Sequence, residues 1–326
     1  MKALVTGGTG FIGSNVVALL AENGHTVRLF ARTDKLPARL SGKGISLFRG
    51  DLRDTEAVIS AMSGMDVFYH IGELRNVSPY AAKKNVQLVE KIVNNIEQSG
   101  IKRFIFISSL TVAGIPSVVP ASEETEPKLV PQEHYTDYKQ QCEEILKAQT
   151  SAEYVIIRPG VVYGSGSRYL GSLVTAVDLF GPFGFPFVGK GENIVPLIHV
   201  KDLSLAVYLA GIGKDASGQT FNLTDGLPHS WYDFFNTIAS ALGKKFRLLP
   251  IPPLVLSIPS KTIDSFADLL HMKFSLDTYV QYATSDLLFL NDKARRLLSW
   301  EPEYTLKQGV DDLVRTYHIK ERLKER

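Results

Sequence analysis

Thr6-Gly7-Gly8-Thr9-Gly10-Phe11-Ile12-Gly13 comes directly after an apolar run, Ala3 to Thr6, and directly before a stretch with helical periodicity, Ser14 to Asn23. Strand, glycine-rich turn and helix in that order decide how the rest of the first half is read. Gly7 can make the tight turn, Gly10 lets the main chain approach a pyrophosphate, and Gly13 allows the new helix to lie against the strand. The helix N-terminus then offers N–H groups and the positive end of its dipole to an anion. The segment is expected to hold a dinucleotide, with Gly7, Thr9, Gly10, Phe11, Ile12 and Gly13 against it.

Outward from this turn, short apolar runs alternate with stretches of helix length. The runs are Ala3 to Thr6, Thr26 to Ala31, Ile45 to Arg49, Val67 to His70, Arg103 to Ser108 and Tyr154 to Arg158. The alternation predicts beta-alpha-beta units, and so an α/β fold with a Rossmann-type, doubly wound parallel sheet covered on both faces. Beyond Pro159 the pattern changes to a glycine- and phenylalanine-rich segment, Phe180-Gly181-Pro182-Phe183-Gly184-Phe185-Pro186-Phe187. Leu197 to Leu203 then looks like a strand leading into a helix, and Thr220 to Thr224 like another strand. The expected division is a dinucleotide-binding domain over residues 1–165, with 194–225 returning to it. Residues 166–193 and 226–326 would form a smaller C-terminal substrate-binding lobe. The sequence shows no internal repeat and no low-complexity region.

The end of the second strand discriminates between cofactors, since an acid there binds the ribose hydroxyls of NAD and a base accommodates the extra phosphate of NADP. This chain has Ala31-Arg32, and an arginine can hold a phosphate through two hydrogen bonds. NADP is the expected cofactor, with NAD as the alternative and an ordinary surface arginine as the plainer account of Arg32. Asp51 and Leu52, after the third strand, are placed to meet the adenine. Ile71, Pro159 and Val161 are the remaining expected cofactor contacts.

Tyr135 and Lys139 stand four apart in Tyr135-Thr136-Asp137-Tyr138-Lys139, at the start of a predicted helix, and so share one of its faces. A phenol with a pKa near 10 is a poor proton carrier at neutral pH, and a neighbouring ammonium stabilises its phenolate. Lys139 could also hold the nicotinamide ribose. Ser109, closing the fifth strand in Phe106-Ile107-Ser108-Ser109, is the candidate to orient a substrate oxygen. Tyr138 offers a second phenol, but one residue from the lysine it is expected on a different side of the helix. A Tyr-x-x-x-Lys match alone arises often by chance, whereas glycine turn, serine-ended strand and tyrosine-lysine helix in this order do not.

Bulk properties narrow the partners. With 36 basic and 34 acidic residues among 326, the net charge is +2 and no long run of one sign appears, which argues against nucleic acid. The alternating charges of Lys320 to Arg326 suit a solvated helix end. One cysteine, Cys142, cannot close an intramolecular disulfide and is expected to be structural. Met1-Lys2 runs into Ala3-Leu4-Val5 without a basic leader, and the longest apolar tract, Leu248 to Ile258, is interrupted by prolines and too short to span a bilayer. Cytoplasmic residence and a small-molecule partner are therefore expected, with no membrane span.

Taken together, these segments resemble the extended branch of the short-chain dehydrogenase/reductase superfamily, the NAD-dependent epimerase/dehydratase family. Further matching motifs are Gly50-Asp51-Leu52, Asn85-Val86, Arg158 to Gly164, His199-Val200-Lys201-Asp202 and Asn222 to Gly226. The resemblance implies Ser109, Tyr135 and Lys139 as catalytic residues, and a homodimer formed through two helices, one of them bearing Tyr135. Two departures stand out: His70-Ile71-Gly72-Glu73 replaces the usual His-x-Ala-Ala, and Tyr138 stands where Ser or Thr often precedes the lysine. Ser108 to Gly114 and Gly189 to Asn193 look like the corresponding stretches of 3-beta-hydroxysteroid dehydrogenases and dihydroflavonol-type reductases, and the Phe180 to Phe187 run would suit an apolar substrate wall. Redox between a secondary alcohol and a ketone on a fairly apolar molecule is the expected reaction. A nucleotide-sugar epimerase or dehydratase is the alternative, and a non-catalytic NAD(P)-binding regulatory protein a third reading. An asparagine after the sixth strand and a carboxylate pair near Ser109, which would favour the sugar-nucleotide enzymes, are missing.

Overall fold

The computed structural model describes residues 1–40, 44–74, 78–131, 133–148, 152–256 and 276–324. Seven strands, β1 (Lys2–Thr6), β2 (Thr26–Ala31), β3 (Ile45–Arg49), β4 (Val67–His70), β5 (Arg103–Ile107), β6 (Glu153–Pro159) and β7 (Gln219–Leu223), form one sheet in the order β7-β6-β5-β4-β1-β2-β3. Every pairing in it is parallel. The order reverses beside β1, so a crevice opens at the carboxyl ends of β1 and β4, where open α/β sheets bind ligands. Helices α1 (Phe11–Glu22), α2 (Thr55–Met62), α3 (Pro79–Ser99), α4 (His134–Ala148) and α6 (Val200–Ile212) cover its faces.

Alternate side chains of each strand go to opposite faces, which splits the core in two. Val5, Leu29, Ile105 and Ile157 pack with Val16, Val17 and Leu20 of α1 and with Leu203 and Val207 of α6. Leu4, Phe30, Phe68, Phe104 and Ile156 pack with side chains of α2, α3 and α4, among them Val58, Ile92 and Leu146. Burial on both sides explains why the strands read as continuous apolar runs rather than as alternations.

A third core gathers α5 (Arg168–Phe180), α7 (Trp231–Ala241) and the long helix Leu306–Lys324 around a short ribbon in which Phe185–Val188 pairs with Leu248–Ile251. The aromatic segment divides there: Phe185 and Phe187 are buried, while Phe180 and Phe183 are exposed. Of the apolar tract from Leu248 to Ile258, residues 257 and 258 lie outside the described residues, as do the last two residues of the charged tail. Strand ends fall within a residue of those expected, and α1 begins three residues early because Gly10 is its N-cap. Among the described residues no helix is long and apolar enough to cross a membrane.

Candidate active site

Gly7 turns with φ +71°, and a Cβ added to it would sit 2.5 Å from the Gly72 amide nitrogen in the loop after β4. A Cβ on Gly13 would sit 2.4 Å from the Gly7 carbonyl oxygen. Both contacts are to main chain, which cannot yield, so the β1–α1 turn and the loop after β4 pack as bare backbone. Gly10 donates to Gly7 O at 2.8 Å and caps α1 without a side chain, leaving the first amides of the helix for an anion. Thr6 Oγ1 accepts the Gly72 N–H at 3.4 Å and shares a hydrogen bond with His70 Nδ1 at 2.9 Å. Burial, helped by the Lys139 charge, lowers the His70 pKa to about 3, so its ring stays neutral.

The other expected cofactor contacts line the same edge. Arg32, exposed, follows β2, and its charge acts on Asp51 after β3. Asp51 accepts from Arg53 Nη2 at 2.7 Å and from Arg53 Nε at 3.0 Å, which lowers its pKa to about 2. Leu52 Cδ1 lies 3.0 Å from the position of a Gly72 Cβ, Ile71 lies beside Gly7, and Phe11 lies beside Gly166. Pro159 closes β6, Gly160 bonds Leu223 O, and Val161 N donates to Pro196 O at 2.7 Å.

Helix α4 carries Tyr135 and Lys139, and Ser109 follows β5. Lys139 is almost fully buried, and its Nζ donates to Ile107 O at 2.8 Å, two residues before Ser109. The same nitrogen lies 5.7 Å from the centre of the Tyr135 ring and 5.1 Å from that of Phe106. Ser109 Oγ accepts both the Thr111 N–H at 3.3 Å and the Thr111 hydroxyl at 3.1 Å, so its own proton is left to be donated. Tyr282, on the helix Leu276–Ala283, donates to Thr111 O at 3.3 Å and ties this turn to the C-terminal part of the chain.

Tyr138 does not point away, as its spacing from Lys139 suggested. Its ring centre is 5.4 Å from that of Tyr135 and 5.1 Å from Lys139 Nζ. Residues three apart on a helix are neighbours, and long side chains sweep back toward the N-terminus, which brings Tyr138 over the preceding turn. Its hydroxyl donates to Glu73 Oε2 at 2.5 Å, and that carboxylate oxygen stands 3.3 Å from Lys139 Nζ.

Two buried polar pins hold this geometry. Arg158 grips Glu143 through Nε at 2.8 Å and Nη2 at 2.5 Å, and Ser108 donates to the same carboxylate at 2.6 Å, which locks α4 to β5 and β6. Burial alone would raise the Glu143 pKa, but the Arg158 and Ser108 bonds outweigh it and the carboxyl is held below its ordinary range. Asn85 of α3 bonds both polar groups of the Leu74 main chain, fixing the residue after Glu73. Asn85 and Arg158 stand in motifs that carry the family resemblance, but their partners Leu74 and Glu143 are not foreseen from it; the spacing of Lys139 and Glu143, four apart on the buried face of α4, is the available signal for Glu143. Cys142, also on this face, is fully buried, and burial pushes its thiol up to about 12.

The family model described as "NAD dependent epimerase/dehydratase family" matches residues 3–224. The chain belongs to that family. Within it, the chain is 27% identical over 341 residues to a 3-beta-hydroxysteroid dehydrogenase of Mycolicibacterium neoaurum, covering 97% of this chain and 91% of the relative. It is also 27% identical over 328 residues to a UDP-glucose 4-epimerase of Vibrio cholerae, covering 96% and 94%. Among solved structures, gox2253 superposes with a TM-score of 0.80 at 23% identity over 98% of this chain and 99% of that one. The UDP-glucose 4-epimerase of Thermus thermophilus, solved with NAD, gives 0.73 at 21% identity over 98% and 99%. These likenesses carry the fold. As a family member the chain is an enzyme of the extended short-chain dehydrogenase/reductase type. Its turn fits a dinucleotide on structural grounds, because Gly10 caps α1 with no side chain and leaves the first amides of the helix to meet a phosphate.

Proposed function

We propose that this family member interconverts a secondary alcohol and a ketone on a fairly apolar substrate, with Tyr135 as acid and base, Ser109 orienting the substrate oxygen, and Lys139 beside the phenol. The observation that carries the reading is the convergence of Lys139 Nζ on Ile107 O, beside the Tyr135 ring and two residues from Ser109. In the oxidative direction Tyr135, as phenolate, takes the substrate hydroxyl proton, and in the reductive direction it returns one to the carbonyl oxygen. The bound nicotinamide supplies the hydride chemistry. Gly7, Thr9, Gly10, Phe11, Ile12 and Gly13 would hold the pyrophosphate, Asp51, Leu52, Ile71, Pro159 and Val161 the flanking parts, and Arg32 the additional phosphate of NADP. Residues 1–165 with 194–225 would form the cofactor domain, and 166–193 with 226–326 the substrate lobe.

The relatives include a 3-beta-hydroxysteroid dehydrogenase and, at 24% identity over 324 residues, a quinoline-oxide ketoreductase of Stigmatella aurantiaca, which supports an alcohol-ketone couple. We place the enzyme in the cytoplasm as a homodimer built through two helices, one of them α4. The deciding experiment follows reduced-nicotinamide absorbance with a panel of apolar ketones and, separately, the conversion of UDP-sugars. Consumption of NADPH with a ketone supports the reading. Turnover of a UDP-sugar without net redox would assign an epimerase instead, and binding of dinucleotide with no turnover of either panel would overturn both substrate readings.

A further inference from the structure

The two places where this chain departs from its family's usual pattern, Glu73 and Tyr138, touch each other and the same ammonium. Tyr138 is buried and donates to Glu73 Oε2 at 2.5 Å, and that oxygen stands 3.3 Å from Lys139 Nζ. An alanine in place of Glu73 would leave Lys139 with the Ile107 carbonyl and the faces of Phe106, Tyr135 and Tyr138. With the carboxylate present, a buried positive charge has a full negative partner in direct contact. The side chains of Lys139 and Glu73 are 6% and 28% exposed, so solvent screens the pair only in part.

We propose that Glu73 is a positioning residue which shares the Lys139 ammonium with Tyr135 and thereby sets how readily the Tyr135 phenol gives up its proton. The proposal rests on the assignment of Tyr135 as the acid and base. Its logic is electrostatic: an ammonium favours the phenolate only to the extent that its charge is not already neutralised, and a carboxylate nearby disfavours the phenolate further. Both effects have the same sign, so Glu73 holds Tyr135 less acidic than Lys139 alone would make it. The hydrogen bond from Tyr138 fixes the carboxylate in this place, and burial, reinforced by the Glu73 charge, keeps Tyr138 itself protonated.

Among the described residues, further groups on three elements face this cluster. On β4, His70 stays neutral, its pKa lowered to about 3. On α4, Cys142 is held as a thiol and Glu143 is ionised and bound to Arg158. On β5 the neighbours are Phe106, the Ile107 carbonyl and Ser108. Among the described residues, none of these neighbours changes charge at moderately alkaline pH.

The test needs neither substrate nor dinucleotide. Tyrosinate absorbance is followed against pH in wild type, Glu73→Gln and Glu73→Ala, each paired with the same protein carrying Tyr135→Phe, so that subtraction isolates the Tyr135 step. The expected result is a Tyr135 step lower by about one pH unit or more in both variants. Glu73→Gln keeps a hydrogen-bond acceptor for Tyr138 while losing the charge. A shift in Glu73→Ala alone would therefore trace to packing and overturn the proposal. An unchanged, early Tyr135 step in all three proteins overturns the role of Glu73 while leaving Tyr135 as the acid and base. A Tyr135 step merged with the other tyrosines in all three overturns both. If one variant fails to fold by circular dichroism, the other still gives the comparison with wild type.

Discussion

Tyr135→Phe removes one oxygen and tests whether that oxygen moves a proton. Activity should fall by roughly 10²- to 10⁴-fold. Dinucleotide affinity, measured by quenching of reduced-nicotinamide fluorescence, should stay within a few-fold, since the ring remains to pack beside Lys139. Activity within a few-fold of wild type would remove Tyr135 from the chemistry. Arg32→Ala addresses the cofactor in the same way. Arg32 is exposed beside Asp51, and a hydrogen-bonded phosphate contact is worth about 1.5–3 kcal/mol. NADPH affinity should therefore drop about ten- to hundred-fold, with NADH little changed; equal losses for the two, or none, would leave Arg32 as a surface residue. Ser109, Tyr135 and Lys139 could be marked as candidates in sequence because local spacing and a strand end brought them into view. Glu73 could only be marked as out of pattern, because its partner Tyr138 lies 65 residues away and the contact exists only after the sheet forms.

Helix α4 is placed by one buried carboxylate as well as by its apolar face. Glu143 serves Arg158, Ser108 and Lys147 at once. Glu143→Ala would leave Arg158, 12% exposed at its side chain, without that partner, and breaking a buried pair from one side costs about 3–5 kcal/mol. Because the Glu143 pKa is depressed in the folded chain, its contribution is complete above the unfolded carboxylate range and is lost as pH falls through the folded value. Urea midpoints at neutral pH and near pH 3 should differ between wild type and Glu143→Ala by less at the acid end; a gap that does not narrow would show that packing, not charge, is lost. The seven strands were legible because fully buried parallel strands write continuous apolar runs, and the order of turns then leaves few topologies. The start of α1 was less so, since Gly10 caps it with no side-chain signature.

The C-terminal third was the least legible part of the molecule, because its anchors join residues about a hundred positions apart. The motif His199-Val200-Lys201-Asp202 gave no hint from spacing that Asp202 accepts the Glu303 and Tyr304 amides, both at 3.1 Å, or that Trp300 Nε1 donates to Asp202 O. Asp225 sits where the chain leaves β7 for this region, its amide bonded to Leu197 O and its Oδ1 accepting from Leu227 N at 3.0 Å. Its other oxygen finds no hydrogen-bond donor among the described residues, His229 Nε2 standing at 3.7 Å. Burial first, and the charge of Asp202 after it, raises the Asp225 pKa to about 7. The neighbouring Tyr163 is pushed up and His229 down, so at pH 8 neither supplies a compensating charge. A carboxyl whose folded pKa is raised stabilises the fold fully below its unfolded value, near 3.9, and loses that contribution as pH climbs through about 7. Asp225→Asn mimics the protonated acid at every pH. Its unfolding free energy from urea titration should therefore match that of wild type at pH 4 and exceed it at pH 8 by an amount on the order of a few kcal/mol. A difference that stays constant between those pH values would mean that Asp225 remains ionised inside the fold and that the unfilled oxygen has found a donor in solution.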